Sequence, residues 1–378
     1  MKDNQKQFRF VEDAYFVKDV LDIPVKKVEK PFTRIEESLY NEAGPEVFKM
    51  IRSFVDLKDP STQVFSTTSI FNINKIDKIT TRAVVNLKRV NDIRRINKFF
   101  EAINENIEKD VVFIGCAETL ELRQSRLLNK FPGIINRLYV IGDYIFKRVF
   151  PKLPITKKLY FALTGGRNRI ISRAETLGRL YSCGFEVLHE ETHGYLFYFI
   201  ARKAKNPVYD NSPSYGPVFG MKRTGKGGKS IKVYKLRTMY PFSEYLQHYV
   251  YEKNHLDTGG KFKDDFRVTS FGRFARKFWI DELPMLYNWF RGELKLVGVR
   301  PLSEQFLSLY PEEVIKIRHN YRPGLVPPYY ADMPKNFDEI IESEKRYLES
   351  YAKCGWCTDV KYFFRAFYNI VFKNARSK

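Results

Sequence analysis

Residues 271–302, FGRFARKFWIDELPMLYNWFRGELKLVGVRPL, constrain this chain more than any other stretch. Asp281 and Glu282 are adjacent carboxylates just ahead of a helical pattern. Asp281 has the side chain of a good N-cap, able to accept an orphan backbone N–H. Pro284 is tolerated in a first turn, where its missing N–H costs nothing. Leu283, Leu286, Tyr287 and Phe290 recur at helical spacing and predict a buried stripe, and Gly292 is a natural stop. The reading puts Asp281 at the positive end of a helix dipole, which lowers a carboxylate pKa and attracts phosphate. Taken alone, Asp-Glu-Leu-Pro reads more readily as an ordinary capping aspartate beside a solvated glutamate. The cations around it turn the reading toward a site: Arg273, Arg276 and Lys277 precede the pair and Arg300 follows. Such an arrangement suits chemistry on a phosphate, with one anion to attack or to hold a metal and several cations to hold the substrate.

The charge of the whole chain agrees. Its 378 residues carry a net charge of +21, which implies an anionic partner: nucleic acid, an anionic membrane or a phosphorylated small molecule. Nucleic acid is disfavoured, because the chain shows no recognition helix, RNP pattern or zinc finger. Four cysteines make no disulfide framework and point to a reducing compartment. Cys354 and Cys357 have redox-pair or half-zinc-site spacing, but neither context is complete, and no function is assigned to them. The N-terminus is polar, unlike a secretory signal, and no run of 18 apolar residues exists. Residues 134–163 mix aromatic, aliphatic and basic residues. They read either as an interfacial segment on an anionic membrane or as a basic amphipathic helix packed on its own domain.

Two domains are expected, 1–205 and 215–378, joined by a Pro-, Asn- and Ser-rich linker at 206–214. In the first, Asp92 can cap a helix carrying Ile93, Ile96, Phe100, Ile103 and Ile107. A strand follows at 110–115, then a helix opened by the capping-box pattern Ser172-x-x-Glu175. Paired strands at 185–188 and 195–201 close the unit, with His189 and His193 as hairpin surface residues. The order resembles the C-terminal half of a degenerate class I methyltransferase, which implies a Rossmann-like α/β fold. No glycine-rich nucleotide loop precedes it, so a scaffold or regulatory role is expected.

In the second domain, Gly225, Gly227 and Gly228 make a tight turn between two strands. Alternation along 231–237 places Lys235 and Arg237 on one face. Six ordered blocks, Gly216–Phe219, Lys235–Met239, Asp264–Arg276, Asp281–Pro284, Leu296–Pro301 and Arg322–Gly324, together resemble the bacterial sugar transferase family. These are the initiating phosphoglycosyl transferases of surface-polysaccharide synthesis, and the likeness runs from about residue 213 to 376. It implies an α/β (α+β) chain whose second domain is compact, helix-rich and monotopic, at the cytoplasmic face of the bacterial inner membrane. By the same resemblance Asp281 would attack a nucleotide diphosphate sugar, of the UDP-sugar class, and pass the phosphosugar to polyprenyl phosphate. Glu282, with Asp281, would bind Mg²⁺. Lys235, Arg237, Arg276, Arg300 and Pro301 would bind substrate. Association with itself or with other glycan-assembly enzymes stays open.

Three features depart from the family pattern. The re-entrant helix expected before Gly216 is replaced by FYFIARK and a polar linker. Phe278 and Trp279 stand where small polar residues are usual, either widening an apolar surface for the polyprenyl chain or joining the core. The loop Val326-Pro-Pro-Tyr-Tyr330 lacks the usual signature. These departures motivate the alternative of a catalytically impaired, transferase-like membrane-recruitment or scaffold protein.

Overall fold

Alternating apolar residues in the first half build a sheet with two buried faces. The computed structural model describes residues 32–130, 133–209, 215–254, 265–373 and 375. Strands β1 (Thr62–Phe65), β2 (Ala83–Asn86) and β3 (Val112–Ala117) are parallel. The hairpin β4 (Phe185–His193) and β5 (Leu196–Lys203) joins antiparallel to β3 through β5, giving the order β1-β2-β3-β5-β4. Val84, Phe113, Phe199 and Ala201 meet Phe100, Ile103, Leu177 and Leu180 on one side. Val85, Ile114, Cys116, Tyr198 and Ile200 meet Leu39, Phe48 and Ile51 on the other. Helices therefore cover both faces, as period-two burial requires. This agrees with the expected α/β class; the finer Rossmann-like likeness rests on the resemblance alone.

One expected cap is not made and another forms only in part. Asp92 lies in a 3₁₀ turn, Val90–Asp92, and binds Arg89 instead of capping the helix Ile96–Glu105. Ser172 accepts from the Glu175 N–H, but the Glu175 carboxylate does not complete a capping box. It turns to Arg148 and Arg179, a stronger pull than a neutral backbone N–H.

The segment 134–163 folds as successive helical turns, Ile134–Tyr144, Ile145–Val149, Phe150–Lys152 and Pro154–Thr164. Its burial is inside out. Asn136, Asp143 and Arg148 are buried, while Ile134, Ile135, Leu138, Ile141, Ile155, Leu159 and Leu163 are exposed, Ile155 to 91%. Arg123 holds Asp143 with two bonds of 2.6 and 2.9 Å, and Arg148 pairs with Glu175.

The expected linker does not separate two cores. Residues 210–214 lie outside the described residues, but the preceding stretch is tied down: Val208 N–H donates to the Ser182 carbonyl at 2.9 Å, and Tyr209 to Glu105 at 2.7 Å. Beyond it, Leu246, Tyr249 and Val250 enter the first half's core beside Leu180 and Phe185.

The second half is built on the hairpin β6 (Val218–Thr224) and β7 (Ser230–Leu236), turned at Gly227 and Gly228 with φ of 69° and 73°. A parallel pair, β8 (Lys295–Val297) and β9 (Gly324–Val326), lies beside it. Two long helices, Phe337–Cys354 and Trp356–Phe372, close the domain around Tyr347, which donates to Asp359 at 2.6 Å.

Burial opposes the charged form of Glu175, but Arg148, Lys152 and Arg179 outweigh it and hold the carboxyl well below its usual range. Its stabilisation is thus present above the ordinary carboxylate pKa and is lost only as pH falls through that depressed value. Glu175→Gln leaves buried guanidinium groups without their counter-charge. It should cost about 3–5 kcal/mol in chemical denaturation at neutral pH.

Candidate active site

The site begins where β7 ends. Lys235, half-buried near the strand's end, extends its ammonium to Glu282 Oε1 at 2.6 Å. Three residues on, Thr238 receives the helix Ser270–Lys277. The Thr269 N–H donates to the Thr238 carbonyl at 2.9 Å, and Arg276 Nε donates to Thr238 Oγ1 at 3.0 Å. A Cβ on Gly272 would stand 2.0 Å from the Thr238 carbonyl oxygen, so only glycine permits this approach. Asp264 lies outside the described residues.

The carboxylate pair is not at a helix N-cap. Trp279 takes the left-handed region at φ 54°, and the chain then makes a 3₁₀ turn, Ile280–Glu282. The helix proper is Met285–Phe290, with Pro284 at its cap position and no side-chain cap. The expected buried stripe is also reversed. Met285 and Asn288 face inward, whereas Leu283, Leu286, Tyr287 and Phe290 are exposed, Phe290 to 78%. The inward face is chosen by Asn288. Its amide donates to the Lys232 carbonyl at 2.8 Å and accepts from the Tyr234 N–H at 3.0 Å, clamping the short helix to β7.

Without the dipole, the Asp281 carboxyl is not lowered. Burial pushes it above the usual carboxylate range; Lys235 opposes that shift, Glu282 adds to it and Arg276 opposes it. The carboxyl is therefore half-buried, beside one like charge and two unlike ones.

Arg300 approaches from β8. Its carbonyl accepts from Arg318 Nη2 at 2.6 Å, and Arg318 is itself paired with buried Glu344. Its guanidinium donates to the Tyr329 hydroxyl at 3.4 Å. Asp281, Glu282, Lys235, Arg276, Arg300 and Pro301 line one cleft of about 520 Å³, with Arg223, Arg273, Lys277 and Tyr329 among its other walls. Arg237 is not among them. Strand β7 ends at Leu236, so alternation no longer governs it; Arg237 Nε donates to the Gly216 carbonyl at 3.0 Å and its guanidinium lies over Phe219. Phe278 is exposed, while the Trp279 indole donates to the Tyr330 hydroxyl at 3.1 Å and packs on that ring.

Sequence reasoning missed Thr238, Asn288, Arg223 and Tyr329. Asn288 had a legible signal, a lone amide three residues after Met285 in an otherwise apolar helix. Arg223 is cross-strand from Ile231 and carries no local pattern.

The bacterial sugar transferase family model matches residues 208–373. That segment belongs to the bacterial sugar transferase family. It is similar to the galactosyl transferase CpsE of Streptococcus agalactiae, 34% identical over 143 residues, covering 36% of this chain and 31% of that protein. It is 38% identical over 117 residues to the UDP-N-acetylgalactosamine-undecaprenyl-phosphate N-acetylgalactosaminephosphotransferase of Aeromonas hydrophila, covering 30% and 25%. It is 34% identical over 125 residues to the undecaprenyl-phosphate galactose phosphotransferase of Salmonella typhimurium, covering 32% and 24%. The matches span about a quarter to a third of these relatives' lengths.

The sugar transferase blocks are the ones that meet in space. Leu296–Pro301 and Arg322–Gly324 touch where a Cβ on Gly324 would stand 2.2 Å from the Gly298 nitrogen. The Gly324 N–H donates to the Val299 carbonyl at 2.9 Å, one residue before Arg300.

The electrostatics of the cleft give opposite signs for two substitutions. Lys235→Met removes a charge that lowers the Asp281 pKa, so its titration should move to higher pH. Glu282→Gln removes one that raises it, so the titration should move to lower pH. Carbon-detected NMR of the Asp281 carboxyl across pH 3–9 checks both.

Proposed function

We propose that this protein transfers a phosphosugar from a nucleotide diphosphate sugar, of the UDP-sugar class, to a polyprenyl phosphate, initiating synthesis of a surface glycan. One observation carries the reading: Asp281, Glu282, Lys235, Arg276 and Arg300 converge on one cleft within the segment that matches the family.

In this reading an Asp281 oxygen attacks the sugar-linked phosphorus. The bond from that phosphorus to the bridging oxygen breaks, and the oxygen leaves with the electron pair on the nucleoside monophosphate. A phosphate oxygen of polyprenyl phosphate then attacks the same phosphorus and the Asp281–phosphorus bond breaks. The carboxylate is regenerated and a polyprenyl diphosphate sugar results. This is nucleophilic catalysis in two steps with ping-pong kinetics. Arg276 and Arg300 orient phosphate oxygens by forked hydrogen bonds. Lys235 keeps Glu282 in place and favours ionised Asp281.

Magnesium takes one or two carboxylates together with substrate phosphates, and the adjacent Asp281 and Glu282 fit that donor set. Asp281 and Glu282 would hold the ion, which would neutralise charge on the diphosphate.

Asp281→Asn should lower nucleoside monophosphate release by on the order of 10⁴-fold or more. The measurement is UMP release from a panel of UDP-sugars with Mg²⁺ and a short-chain polyprenyl phosphate, with mass spectrometry of the trapped protein. Full turnover by the variant, or release with no adduct on Asp281, overturns the covalent route.

The same reading places the protein on the cytoplasmic membrane surface as a monotopic or peripheral protein. Among the described residues no helix is long and apolar enough to cross a membrane. The inside-out burial of 134–163 supports contact with an anionic bilayer. A helix on a soluble surface buries its apolar stripe, and this segment buries Asn136, Asp143 and Arg148 while its aliphatic residues stay exposed. Arg137, Lys157 and Lys158 supply cations beside the exposed aliphatic residues. Ile135→Glu with Leu159→Glu should abolish sedimentation with phosphatidylglycerol vesicles, while UMP release with a water-soluble acceptor stays within about twofold of the parent protein. Unchanged sedimentation removes this segment from the interface.

A further inference from the structure

A second cavity adjoins the catalytic cleft, and no step described above uses it. Its volume is about 740 Å³, within the usual range for small-molecule sites. The two spaces share Arg223, Arg300, Pro301 and Tyr329, so they meet at a seam that carries two guanidinium groups. Arg300 bears on the charge of Arg223. Burial lowers the Arg223 pKa, and the neighbouring Arg300 lowers it further. Arg223 donates to the Lys222 carbonyl at 2.8 Å and makes no ion pair among the described residues. Two close cations at a seam are the local condition for binding an anion.

Beyond the seam the walls are aromatic. Phe306, Tyr310 and Phe337 form one cluster, with Phe337 centred 5.7 Å from Phe306 and 5.4 Å from Tyr310. Tyr329 and Tyr330, 4.6 Å apart, line the cavity as well. Aromatic faces bind a nucleobase by stacking, with little demand on its identity.

The chemistry decides which part of the donor belongs there. In an in-line displacement the leaving oxygen departs opposite the attacking one. The sugar-linked phosphorus remains on Asp281, in the first cleft. The nucleoside monophosphate must leave past the far side of that phosphorus. A donor cut in this way needs two adjoining spaces with cations between them.

We infer that the cavity bounded by Phe306, Tyr310, Tyr329, Tyr330 and Phe337 is the nucleoside subsite, and that Arg223 and Arg300 at its mouth hold the departing phosphate. This rests on the phosphosugar-transfer reading above. Arg223 becomes a substrate-binding residue, and Tyr329 places the unusual loop at the donor.

The test is calorimetric titration of UMP into the full-length protein, together with separate KM values for UDP-sugar and for polyprenyl phosphate. Phe306→Ala and Arg223→Gln are the variants, the first on an exposed ring of a short helix and the second at a half-buried side chain without an ion pair. Each should weaken UMP by about tenfold or more and raise the donor KM alike, with the acceptor KM unchanged. UMP affinity equal to the parent in both variants overturns the subsite, as does a rise in acceptor KM alone, which assigns the cavity to the polyprenyl chain. If the parent forms the Asp281 adduct while both variants bind UMP normally, only the subsite fails. If the parent binds UMP but never forms the adduct, the transfer reading fails and the subsite is judged by the UMP affinities alone.

Discussion

Backbone meets backbone at two places around the cleft, and at both a side chain would block the approach. Gly272 lies against the carbonyl of Thr238, and Gly324 against the nitrogen of Gly298. The first contact brings the helix carrying Arg276 to the end of the strand that carries Lys235. The second brings β9 to β8 one residue before Arg300. Each cation then projects from an element whose position is set by packed main chain. The carboxylates reach the same space on a 3₁₀ turn entered through the left-handed Trp279, whose indole is fastened to Tyr330. The cleft is thus assembled from four separate stretches of chain, and its charges follow from where those stretches touch.

Positive charge is in excess in this chain, and the fold uses its few buried carboxylates to manage it. Glu175 is shared by Arg148 and Arg179 and Glu344 takes Arg318, while the half-buried Glu282 takes Lys235. The Glu175 group holds the 134–163 segment on the first domain from inside, which leaves its aliphatic residues facing outward. The Glu344 pair fixes the backbone of Arg300. Ion pairs of this kind contribute less net stability than their Coulomb attraction suggests, because both partners lose hydration. Here they also determine which face of a segment is hidden.

The lining of the cleft was legible where its residues stand in ordered blocks. Asp281, Glu282, Lys235, Arg276, Arg300 and Pro301 all line the cleft, and the strand pattern around β3 and the hairpin turn at Gly227 were readable from period and turn chemistry. Arg237 was placed beside Lys235 by alternation, but alternation ends with the strand at Leu236. The stripe of Leu283, Leu286, Tyr287 and Phe290 was read as core because helical spacing reveals a common face without revealing which way it turns. Asn288 reversed it through bonds to β7, a contact across more than fifty residues. The caps expected of Asp92 and Asp281 failed for a related reason: a capping residue type permits a cap, and competing partners or an earlier turn decide whether it forms.

Local chemistry, periodicity and block order were enough to determine from the letters alone that a carboxylate pair would be accompanied by cations in a segment of this family. They also determined that the first half would be layered helix and sheet. What required the folded chain was direction and adjacency. Burial of Asp281 and the charges of Glu282, Lys235 and Arg276 set its acidity, and those distances exist only after four stretches meet. The exposure of residues 134–163, and the second cavity behind Arg300, likewise depend on contacts between residues far apart in sequence. No local window of a sequence contains the partner that decides such a contact.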